Sequence, residues 1–398
     1  MSIDGAVRWN DLFAARAAAG GDDTIARIMA LSTATDVISF SGGFPDPATF
    51  PGEELPRLLA AIVERGDPTA FQYAPTAGLP SMRDYLGERL LALEGHRPAD
   101  DELMVTSGGI EALGLVATCF LDPGDVAVTE APTYLGALMA FQGRGARVAT
   151  VGLDDDGMAV DELADLLAGG LRPKLLYTIP DHQNPAGVTM STDRRAELVA
   201  LARRYGFLVV EDVAYRELGF DGRRLPSLWA LGPDVVLSAG TFSKTFCPGV
   251  RLGWAAAPAE VVDALVVAKQ NTDQCAAALG QRLVEEYGRA GLLDRQIERA
   301  RALYGRRSAV LLAALERHLP DTARWTRPRG GFFSWLTLPP GHDAVAVAEA
   351  ARAEKVAYVP GVPFFPDGRG TDSARLSFSR VTDDDIEEGV RRLAGLLR

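Results

Sequence analysis

The segment "VVLSAGTFSKTFCPGVRLGW" (235–254) runs from an apolar strand pattern directly into hydroxyl-bearing residues and a single lysine. Near-continuous apolar residues at 235–240 are typical of a parallel strand that is buried on both faces. Thr241, Ser243 and Lys244 follow at once, and Arg251 comes seven residues after the lysine. Lysine is normally an exposed residue. Its position after a buried strand therefore indicates a chemical role, with an ordinary surface lysine as the alternative.

The middle of the chain, from about residue 100 to 260, alternates strand patterns of this kind with amphipathic helices. A helix is predicted over 192–206, with Thr192 as its N-cap. This alternation predicts an α/β fold with a mainly parallel central sheet that helices cover on both faces. The predicted strands are "LMVT" (103–106), "VAVTE" (126–130), "LLYTIP" (175–180), "FLVVED" (207–212), "VVLSAG" (235–240) and "GWAAAP" (253–258).

The last third of the chain changes character. Long helices are predicted at about 276–319, followed by short strands within 330–339, 356–361 and 375–379 and by a closing helix at 383–398. We predict an N-terminal segment (1–50) that packs on a small domain, a large cofactor-binding domain (51–290) and a small C-terminal α+β domain (291–398). The alanine-rich N-terminal stretch is predicted to be helical.

Charge and composition narrow the class of protein. The 398 residues carry a net charge of −12, which argues against nucleic acid as a partner because phosphate backbones require a basic surface. Arginine pairs such as Arg194-Arg195 are interpreted as helix surface. No apolar run approaches the roughly 20 residues of a membrane span, and no signal-peptide pattern is present. Three widely spaced cysteines, without metal-ligand spacing, predict a cytoplasmic protein with no disulfide and no metal site.

Polar residues follow several of the predicted strands, where open α/β sheets bind their ligands. The turn "SGG" (107–109) precedes a helix beginning near Ile110, and such a helix start can hold an anion. Asn184 follows the third strand, Asp212 is the last residue of the fourth, and Tyr215 comes three residues later. Each also has a purely structural explanation: Asp212 could cap a turn, Asn184 could stabilise its own loop, and Tyr215 could be an aromatic residue at the rim of a pocket. Their coincidence at one edge of one sheet favours a binding site.

This set of residues, a lysine, a carboxylate, an amide, hydroxyls and an arginine, matches what the binding and chemistry of pyridoxal 5′-phosphate require. That cofactor requires an amine for a Schiff base, an acid facing its ring nitrogen, and donors for its phenolate and phosphate. A carboxylate beside the ring nitrogen favours the protonated ring. An arginine can hold the phosphate through two hydrogen bonds.

Five motifs in order resemble the class I/II aminotransferases, which are fold type I pyridoxal phosphate enzymes. They are "QNPAG" (183–187), "EDVAY" (211–215), "TFSKTFCPGVRLGW" (241–254), "PRGGFFSW" (328–335) and "ARLSFS" (374–379). The stretches "ISFSGGFPDPATFP" (38–51) and "FQYAPTAGLPSMRDYL" (71–86) resemble the branch of 2-aminoadipate and kynurenine aminotransferases. That branch includes the aminotransferase-like half of MocR-type regulators. The resemblance runs from about residue 9 to the C-terminus.

The resemblance implies catalytic roles for four residues. Lys244 would form the Schiff base and carry the proton between the substrate's α-carbon and the cofactor. Asp212 would pair with the pyridine nitrogen. Asn184 and Tyr215 would donate hydrogen bonds to the phenolic oxygen.

The resemblance also implies how cofactor and substrate are held. Tyr134 would stack on the ring, and Tyr73 would reach the phosphate in the neighbouring subunit of a homodimer. Arg375 would bind the substrate's α-carboxylate, with Asn184 beside it. Residues implied around the phosphate are Gly108, Gly109, Ile110, Thr241, Ser243 and Arg251, and Gly42 and Gly43 would close the substrate pocket.

Two departures from the family pattern bear on the site. Relatives commonly carry "GSQQ" where this chain has "GGIE" (108–111), so a side-chain hydroxyl is missing at Gly109. Relatives that accept acidic side chains often carry an Ile-Arg pair in the first helix, whereas here Arg27 lies one residue further on, about 100° around the helix. This places a preference for 2-aminoadipate in doubt. His182 is interpreted as a packing residue, with proton transfer as the alternative.

The predicted function is therefore a ping-pong transfer of an α-amino group from an amino acid to a 2-oxo acid, such as 2-oxoglutarate or pyruvate. The same scaffold also supports β-elimination, cyclisation or oxidation, because fold and cofactor do not fix the reaction. A regulator would need a basic DNA-binding domain, for which the family match leaves about ten residues. A nicotinamide oxidoreductase is disfavoured because no G-x-G-x-x-G follows a strand.

Overall fold

The computed structural model describes residues 7–14, 24–33 and 36–397. The alanine-rich stretch at 15–19 lies outside the described residues. The α-helices are α1 (Thr24–Thr33), α2 (Leu55–Glu64), α3 (Pro80–Glu94), α4 (Gly109–Phe120), α5 (Leu135–Gln142), α6 (Val160–Ala168), α7 (Thr192–Tyr205), α8 (Leu228–Leu231), α9 (Ala259–Gln270), α10 (Ala278–Arg289), α11 (Leu292–His318), α12 (Ala344–Ala353) and α13 (Asp383–Gly395). Short 3₁₀ turns occur at Trp9–Asp11, Pro47–Thr49, Pro68–Ala70, Asp100–Glu102, Arg216–Leu218, Pro248–Val250 and Val362–Phe364.

The strands form one large sheet and a smaller second layer. They are β1 (Ile38–Ser39), β2 (Leu103–Thr106), β3 (Val126–Ala131), β4 (Arg147–Asp154), β5 (Gly157–Met158), β6 (Leu175–Thr178), β7 (Leu208–Asp212), β8 (Val236–Thr241), β9 (Gly253–Ala256), β10 (Arg324–Trp325), β11 (Phe333–Thr337), β12 (Val356–Ala357), β13 (Val359–Pro360) and β14 (Ser373–Ser377). The eight-stranded sheet has the order β2-β9-β8-β7-β6-β3-β4-β5. Its central pairs, from β8 through β4, are parallel, whereas β9 runs antiparallel to both of its neighbours.

Both faces of the large sheet are buried, which explains the uninterrupted apolar strands. On β6, Leu175 and Tyr177 belong to one hydrophobic core, and Leu176, between them, belongs to another on the opposite face. Successive side chains of a strand point to opposite faces, so a strand covered on both sides needs apolar residues throughout. The predicted mainly parallel α/β sheet is confirmed.

The smaller layer is an antiparallel sheet of order β10-β11-β14-β13. The N-terminal strand β1 pairs in parallel with β12, with Ile38 opposite Val356 and Ser39 opposite Ala357. Both ends of the chain therefore contribute to this part of the molecule, as predicted for the fold. The domain boundaries at residues 50 and 290 stay predictions.

Two local predictions about α7 are wrong. Ser191, not Thr192, lies at the N-cap, and Thr192 is the first helical residue. Arg195 is fully buried instead of exposed, because its guanidinium donates to both carboxylate oxygens of Asp181, at 2.7 and 3.3 Å. Arginine is almost never fully buried unless it is paired in this way. Within the described ranges, no helix has the length and apolar character that crossing a membrane requires.

Candidate active site

The carboxyl ends of β6, β7 and β8 open onto a cavity of about 320 Å³. Asn184 comes from the loop after β6, Asp212 ends β7, and Lys244 follows β8. The topology brings these residues together because neighbouring parallel strands end at the same edge of the sheet. The predicted residues that line the cavity are Gly43, Gly109, Ile110, Tyr134, Asn184, Asp212, Tyr215, Thr241, Ser243, Lys244, Arg251 and Arg375.

The amine of Lys244 lies between the sheet edge and the N-terminal segment. Its Nζ donates a hydrogen bond of 2.8 Å to the carbonyl oxygen of Gly43 and lies 6.0 Å from the ring centre of Tyr215. Burial lowers the pKa of Lys244 to about 8; the positive charge of Arg375 acts in the same direction, and Asp212 opposes it. A depressed pKa increases the fraction of neutral amine near pH 7, which is the nucleophilic form.

The carboxylate of Asp212 is held by two donors. The hydroxyl of Tyr177 donates to Oδ2 at 2.9 Å, and the backbone N–H of Ala214 donates to Oδ1 at 3.0 Å. Burial raises the pKa of Asp212, while these hydrogen bonds and the charge of Lys244 partly offset that rise. The sequence reasoning missed Tyr177, which lies inside an apolar strand and whose hydroxyl reaches the neighbouring strand.

A tight turn and an arginine form an anion-binding corner beside Lys244. Gly108 has φ of +97°, and a Cβ there would lie 2.6 Å from Nη2 of Arg251. Helix α4 begins at Gly109, so its first N–H groups have no partner within the helix. Nη1 of Arg251 donates to the hydroxyl of Ser243 at 3.3 Å, and Thr241 donates to the same hydroxyl at 3.0 Å. Free N–H groups and a cation at one corner fit a phosphate.

Arg375, on β14, is buried without a carboxylate partner among the described residues. Its Nη1 donates to Oδ1 of Asn184 at 3.0 Å, and its Nη2 donates to the carbonyl oxygen of Ser41 at 2.6 Å. The guanidinium carbon lies 4.4 Å from the ring centre of Phe333 and 4.9 Å from that of Phe364. Burial lowers the pKa of Arg375 to about 10, and its Nε has no hydrogen-bond partner in the described part of the chain. A desolvated cation of this kind is a site for an anionic ligand.

The remaining aromatic and glycine residues shape the walls. Tyr215 packs edge-on against Phe333, with ring centres 5.7 Å apart, and burial raises the pKa of its hydroxyl. Burial also raises the pKa of Tyr134, which lines the same cavity. A Cβ at Gly43 would lie 2.6 Å from Cζ of Phe333, so glycine is needed for this close approach. Gly42 is buried beside it without lining the cavity.

Tyr73 and His182 lie apart from the cavity. Tyr73 is 80 % exposed on the surface of the single chain. His182 is buried behind the wall, where a Cβ on Gly330 would contact its ring and Thr189 lies 3.3 Å from Nδ1. Burial lowers the pKa of His182 to about 4, so the ring is neutral at pH 7. The side chain of Arg27 lies outside the described residues.

The loop that carries Asn184 is fixed by its neighbour Gln183, which the sequence reasoning also missed. The amide nitrogen of Gln183 donates to Oε2 of Glu130 at 2.9 Å and to the carbonyl oxygen of Pro132 at 2.8 Å. Its amide oxygen accepts from the N–H of Ala186 at 2.7 Å. This buried network fixes the position at which Asn184 meets Arg375.

The cavity fits the predicted cofactor on its own chemistry. It holds a largely buried amine of depressed pKa, a carboxylate, and a glycine turn where a side chain would collide with Arg251. The guanidinium of Arg375, left without a carboxylate partner among the described residues, is available for a second anion. Pyridoxal phosphate bound to an amino acid presents a phosphate at one end and a carboxylate at the other, so both corners match.

Comparison with known proteins agrees with this chemistry. The family model described as "Aminotransferase class I and II" matches residues 35–393. The chain therefore belongs to the class I and II aminotransferase family. It is an enzyme that uses pyridoxal 5′-phosphate to transfer the amino group of an amino acid to a 2-oxo acid, and the predictions of family, cofactor and reaction are confirmed.

Several similar proteins act on different amino acids. The aromatic-amino-acid aminotransferase 1 of Thermococcus litoralis is 39 % identical over 379 residues, covering 94 % of this chain and 91 % of its own. The kynurenine aminotransferase structure of Pyrococcus horikoshii, in complex with PMP, superposes with a TM-score of 0.94 at 38 % identity, covering 98 % of each chain. The α-aminoadipate aminotransferase structure of Thermus thermophilus is complexed with N-(5′-phosphopyridoxyl)-L-leucine. It superposes with a TM-score of 0.91 at 38 % identity, again covering 98 % of each chain.

Proposed function

We propose that the cavity at the ends of β6–β8 is the active site of this aminotransferase. Pyridoxal phosphate, when bound, supplies an electrophilic aldehyde and a ring that accepts electrons from the substrate's α-carbon. Asp212 would hold the ring nitrogen, Asn184 and Tyr215 the phenolic oxygen, and Tyr134 one ring face. The phosphate would be held by Gly108, Gly109, Ile110, Thr241, Ser243 and Arg251.

Lys244 is the residue that we assign to proton transfer. Its Nζ would take the proton from the substrate's α-carbon, because a neutral amine is a base and the largely buried site excludes competing water. The carbonyl of Gly43, 2.8 Å away, keeps the amine at the cavity wall. In the second half of a ping-pong cycle the same nitrogen would return a proton to the 2-oxo acid's carbon.

The substrate assignment rests on the buried guanidinium of Arg375, which has no carboxylate partner among the described residues. Two phenyl rings flank it and two protein carbonyl groups orient it, so a planar α-carboxylate can bind through two hydrogen bonds. Gly42 and Gly43 would close this end of the pocket.

We further propose that the donor amino acid carries an apolar or aromatic side chain. The cations among the described lining residues are Lys244, Arg251 and Arg375, to which the proposal already gives roles. The lining also includes several apolar residues, namely Ile28, Met29, Phe44, Leu135, Phe333 and Phe364, and the last two flank the guanidinium of Arg375. An acidic side chain placed there would be desolvated without a partner from these residues, which is unfavourable.

The assay for this proposal begins with the visible absorption of the purified protein carrying its cofactor. Single amino acids are then added: phenylalanine, leucine, aspartate and 2-aminoadipate. We expect rapid conversion of the cofactor to its amino form with phenylalanine and slow conversion with aspartate, and no conversion by Lys244→Ala. Faster conversion with aspartate would contradict the substrate assignment. Turnover that never yields the amino form would favour elimination, cyclisation or oxidation.

We also propose a homodimer in which Tyr73 completes the site of the neighbouring subunit. Tyr73 and Phe71 are 80 % and 63 % exposed in the single chain, an unusual exposure for two nearby aromatic residues. Mixing Tyr73→Ala and Lys244→Ala protomers should restore activity, because one of the two sites in a mixed dimer would be intact. Inactive mixed dimers would refute a shared site. The cytoplasmic location stays a prediction.

A further inference from the structure

Lys269 lies at the end of α9 with a side chain that is 0 % exposed. Its Nζ donates to both carboxylate oxygens of Glu111, at 2.8 and 2.7 Å, and to both of Asp273, at 2.7 and 2.9 Å. Lysine is almost never fully buried unless it is paired. These three residues, called here the Lys269 cluster, do not line the active-site cavity.

The Lys269 cluster holds the residue that precedes the phosphate turn. The backbone N–H of Ser107 donates to Oε2 of Glu111, and its hydroxyl donates to Oδ2 of Asp273, both at 2.5 Å. The carbonyl oxygen of Ser107 accepts from Nη2 of Arg251 at 3.3 Å. Every polar group of Ser107 is therefore fixed, two by the cluster and one by the arginine assigned to the phosphate.

We propose that Lys269, Glu111 and Asp273 are positioning residues that hold the phosphate turn and Arg251 in binding geometry. The inference rests on the proposed function, since it concerns the phosphate end of the same site. Fixing Ser107 orients the peptide units of Gly108 and Gly109, whose N–H groups would hold the phosphate under the proposed function. This chain needs such support because Gly109 offers no hydroxyl, so the backbone must supply the hydrogen bonds.

Lys269 also reduces the repulsion between negative charges near the phosphate turn. Two carboxylates close to each other and to a phosphate site repel one another and the ligand. A single ammonium group between them offsets that repulsion while both keep their hydrogen bonds to Ser107. Removing the lysine would therefore leave a negative, poorly ordered turn.

The test compares the affinities of the full-length, cofactor-free protein for pyridoxal phosphate and for pyridoxal, by equilibrium dialysis. Pyridoxal has the aldehyde and the ring but lacks the phosphate. The variants are Lys269→Met, Glu111→Ala and Glu111→Gln, with Glu260→Ala as a control at an exposed position on the same helix α9. The melting temperature of each protein is measured in parallel.

For Lys269→Met and Glu111→Ala we expect the affinity for pyridoxal phosphate to fall roughly tenfold or more, the loss expected for a hydrogen bond to a charged group. The affinity for pyridoxal should change less than about twofold, because Lys244 and Asp212 are untouched. Glu111→Gln should lose less affinity than Glu111→Ala, since its amide oxygen can still accept from Ser107 while its NH2 group can no longer accept from Lys269. Glu260→Ala should resemble wild type with both ligands.

Equal losses for both ligands, or a lower melting temperature with unchanged affinities, would overturn the inference and leave the cluster a structural feature only. If Lys269→Met does not fold, the contrast between Glu111→Ala and Glu111→Gln decides. A wild-type protein that binds neither ligand would instead refute the proposed function, so the two failures are distinguishable.

Discussion

Replacing Tyr177 by phenylalanine tests whether the function of Asp212 depends on a hydrogen bond from the neighbouring strand. The change removes one hydroxyl, which donates to Oδ2 of Asp212 at 2.9 Å, and leaves the N–H of Ala214 on the other oxygen. A hydrogen bond to a charged group contributes about 1.5–3 kcal/mol. The lower figure corresponds to roughly tenfold in rate. We expect a loss of at least that size, because the pKa of Asp212 should rise and its carboxylate should orient less well.

The assay is the single-turnover rate of the amino-acid half-reaction, measured by rapid mixing of the cofactor-loaded enzyme with phenylalanine. Tyr358→Phe is the matched control: Tyr358 is 2 % exposed, and its hydroxyl donates at 2.7 Å to the carbonyl of Ala344, which does not line the cavity. Tyr358→Phe should lose about 1 kcal/mol of unfolding free energy and Tyr177→Phe about 1.5–3 kcal/mol, because only the second bond has a charged acceptor. Only Tyr177→Phe should slow the reaction. A wild-type rate for Tyr177→Phe, or an equal slowing by Tyr358→Phe, would refute the argument.

Three further predictions concern charge and space in the cavity. Folding lowers the pKa of Lys244 from 10.5 to about 8. Between these two pH values the lysine is protonated in the unfolded chain and neutral in the folded one, so the stability of the cofactor-free protein rises with pH across that range. In urea unfolding, the Lys244→Met variant should therefore be more stable than wild type by about 3 kcal/mol at pH 7, and this difference in unfolding free energy should disappear near pH 10. A difference that does not change with pH would contradict the argument. Arg375→Lys should raise KM for the amino acid by roughly 100-fold while leaving the affinity for pyridoxal phosphate unchanged, since a lysine cannot form the paired hydrogen bonds; an unchanged KM would remove the carboxylate assignment. Gly108→Ala should weaken cofactor binding at least tenfold in a dialysis assay, since the φ of Gly108 is +97° and a Cβ there would lie 2.6 Å from Nη2 of Arg251. The control is Gly114→Ala in helix α4, where a Cβ meets nothing within 4 Å, and this variant should bind the cofactor normally.

Six strands of the central sheet were predictable because they are largely buried on both faces and appear in the sequence as apolar runs. The strands β4 and β5 were not predicted, and β4 is only partly buried. Strand ends shifted by one or two residues, as at β8, which spans Val236–Thr241 instead of 235–240. Arg195 shows where the pattern fails. Its helix carries charges on many positions, and the partner that makes its burial possible, Asp181, comes from a loop 14 residues away. Periodicity along one helix contains no information about that loop.

The active-site residues divide in the same way. Asp212 and Lys244 stand immediately after strand patterns, where parallel strands present ligands, so the sequence placed them at one edge. Tyr177 lies within an apolar strand, and its role depends on the register that sets it opposite Val210, two residues from Asp212. Lys269 and Glu111 are 158 residues apart, and only the packing of α9 against α4 brings them together. Contacts of this kind depend on tertiary structure that no local pattern specifies.

The charged residues that line the cavity do not balance one another in the protein alone. Among the described lining residues, three cations (Lys244, Arg251 and Arg375) face one carboxylate, Asp212. Burial without enough opposing charge lowers the pKa of Lys244 to about 8 and that of Arg375 to about 10. A phosphate at the Arg251 corner and a carboxylate at Arg375 would supply the missing negative charge at both ends. Under the proposed function, this imbalance would favour the neutral amine in the cofactor-free protein and would also favour the binding of the two anionic groups, so nucleophilicity and ligand affinity would have one physical origin.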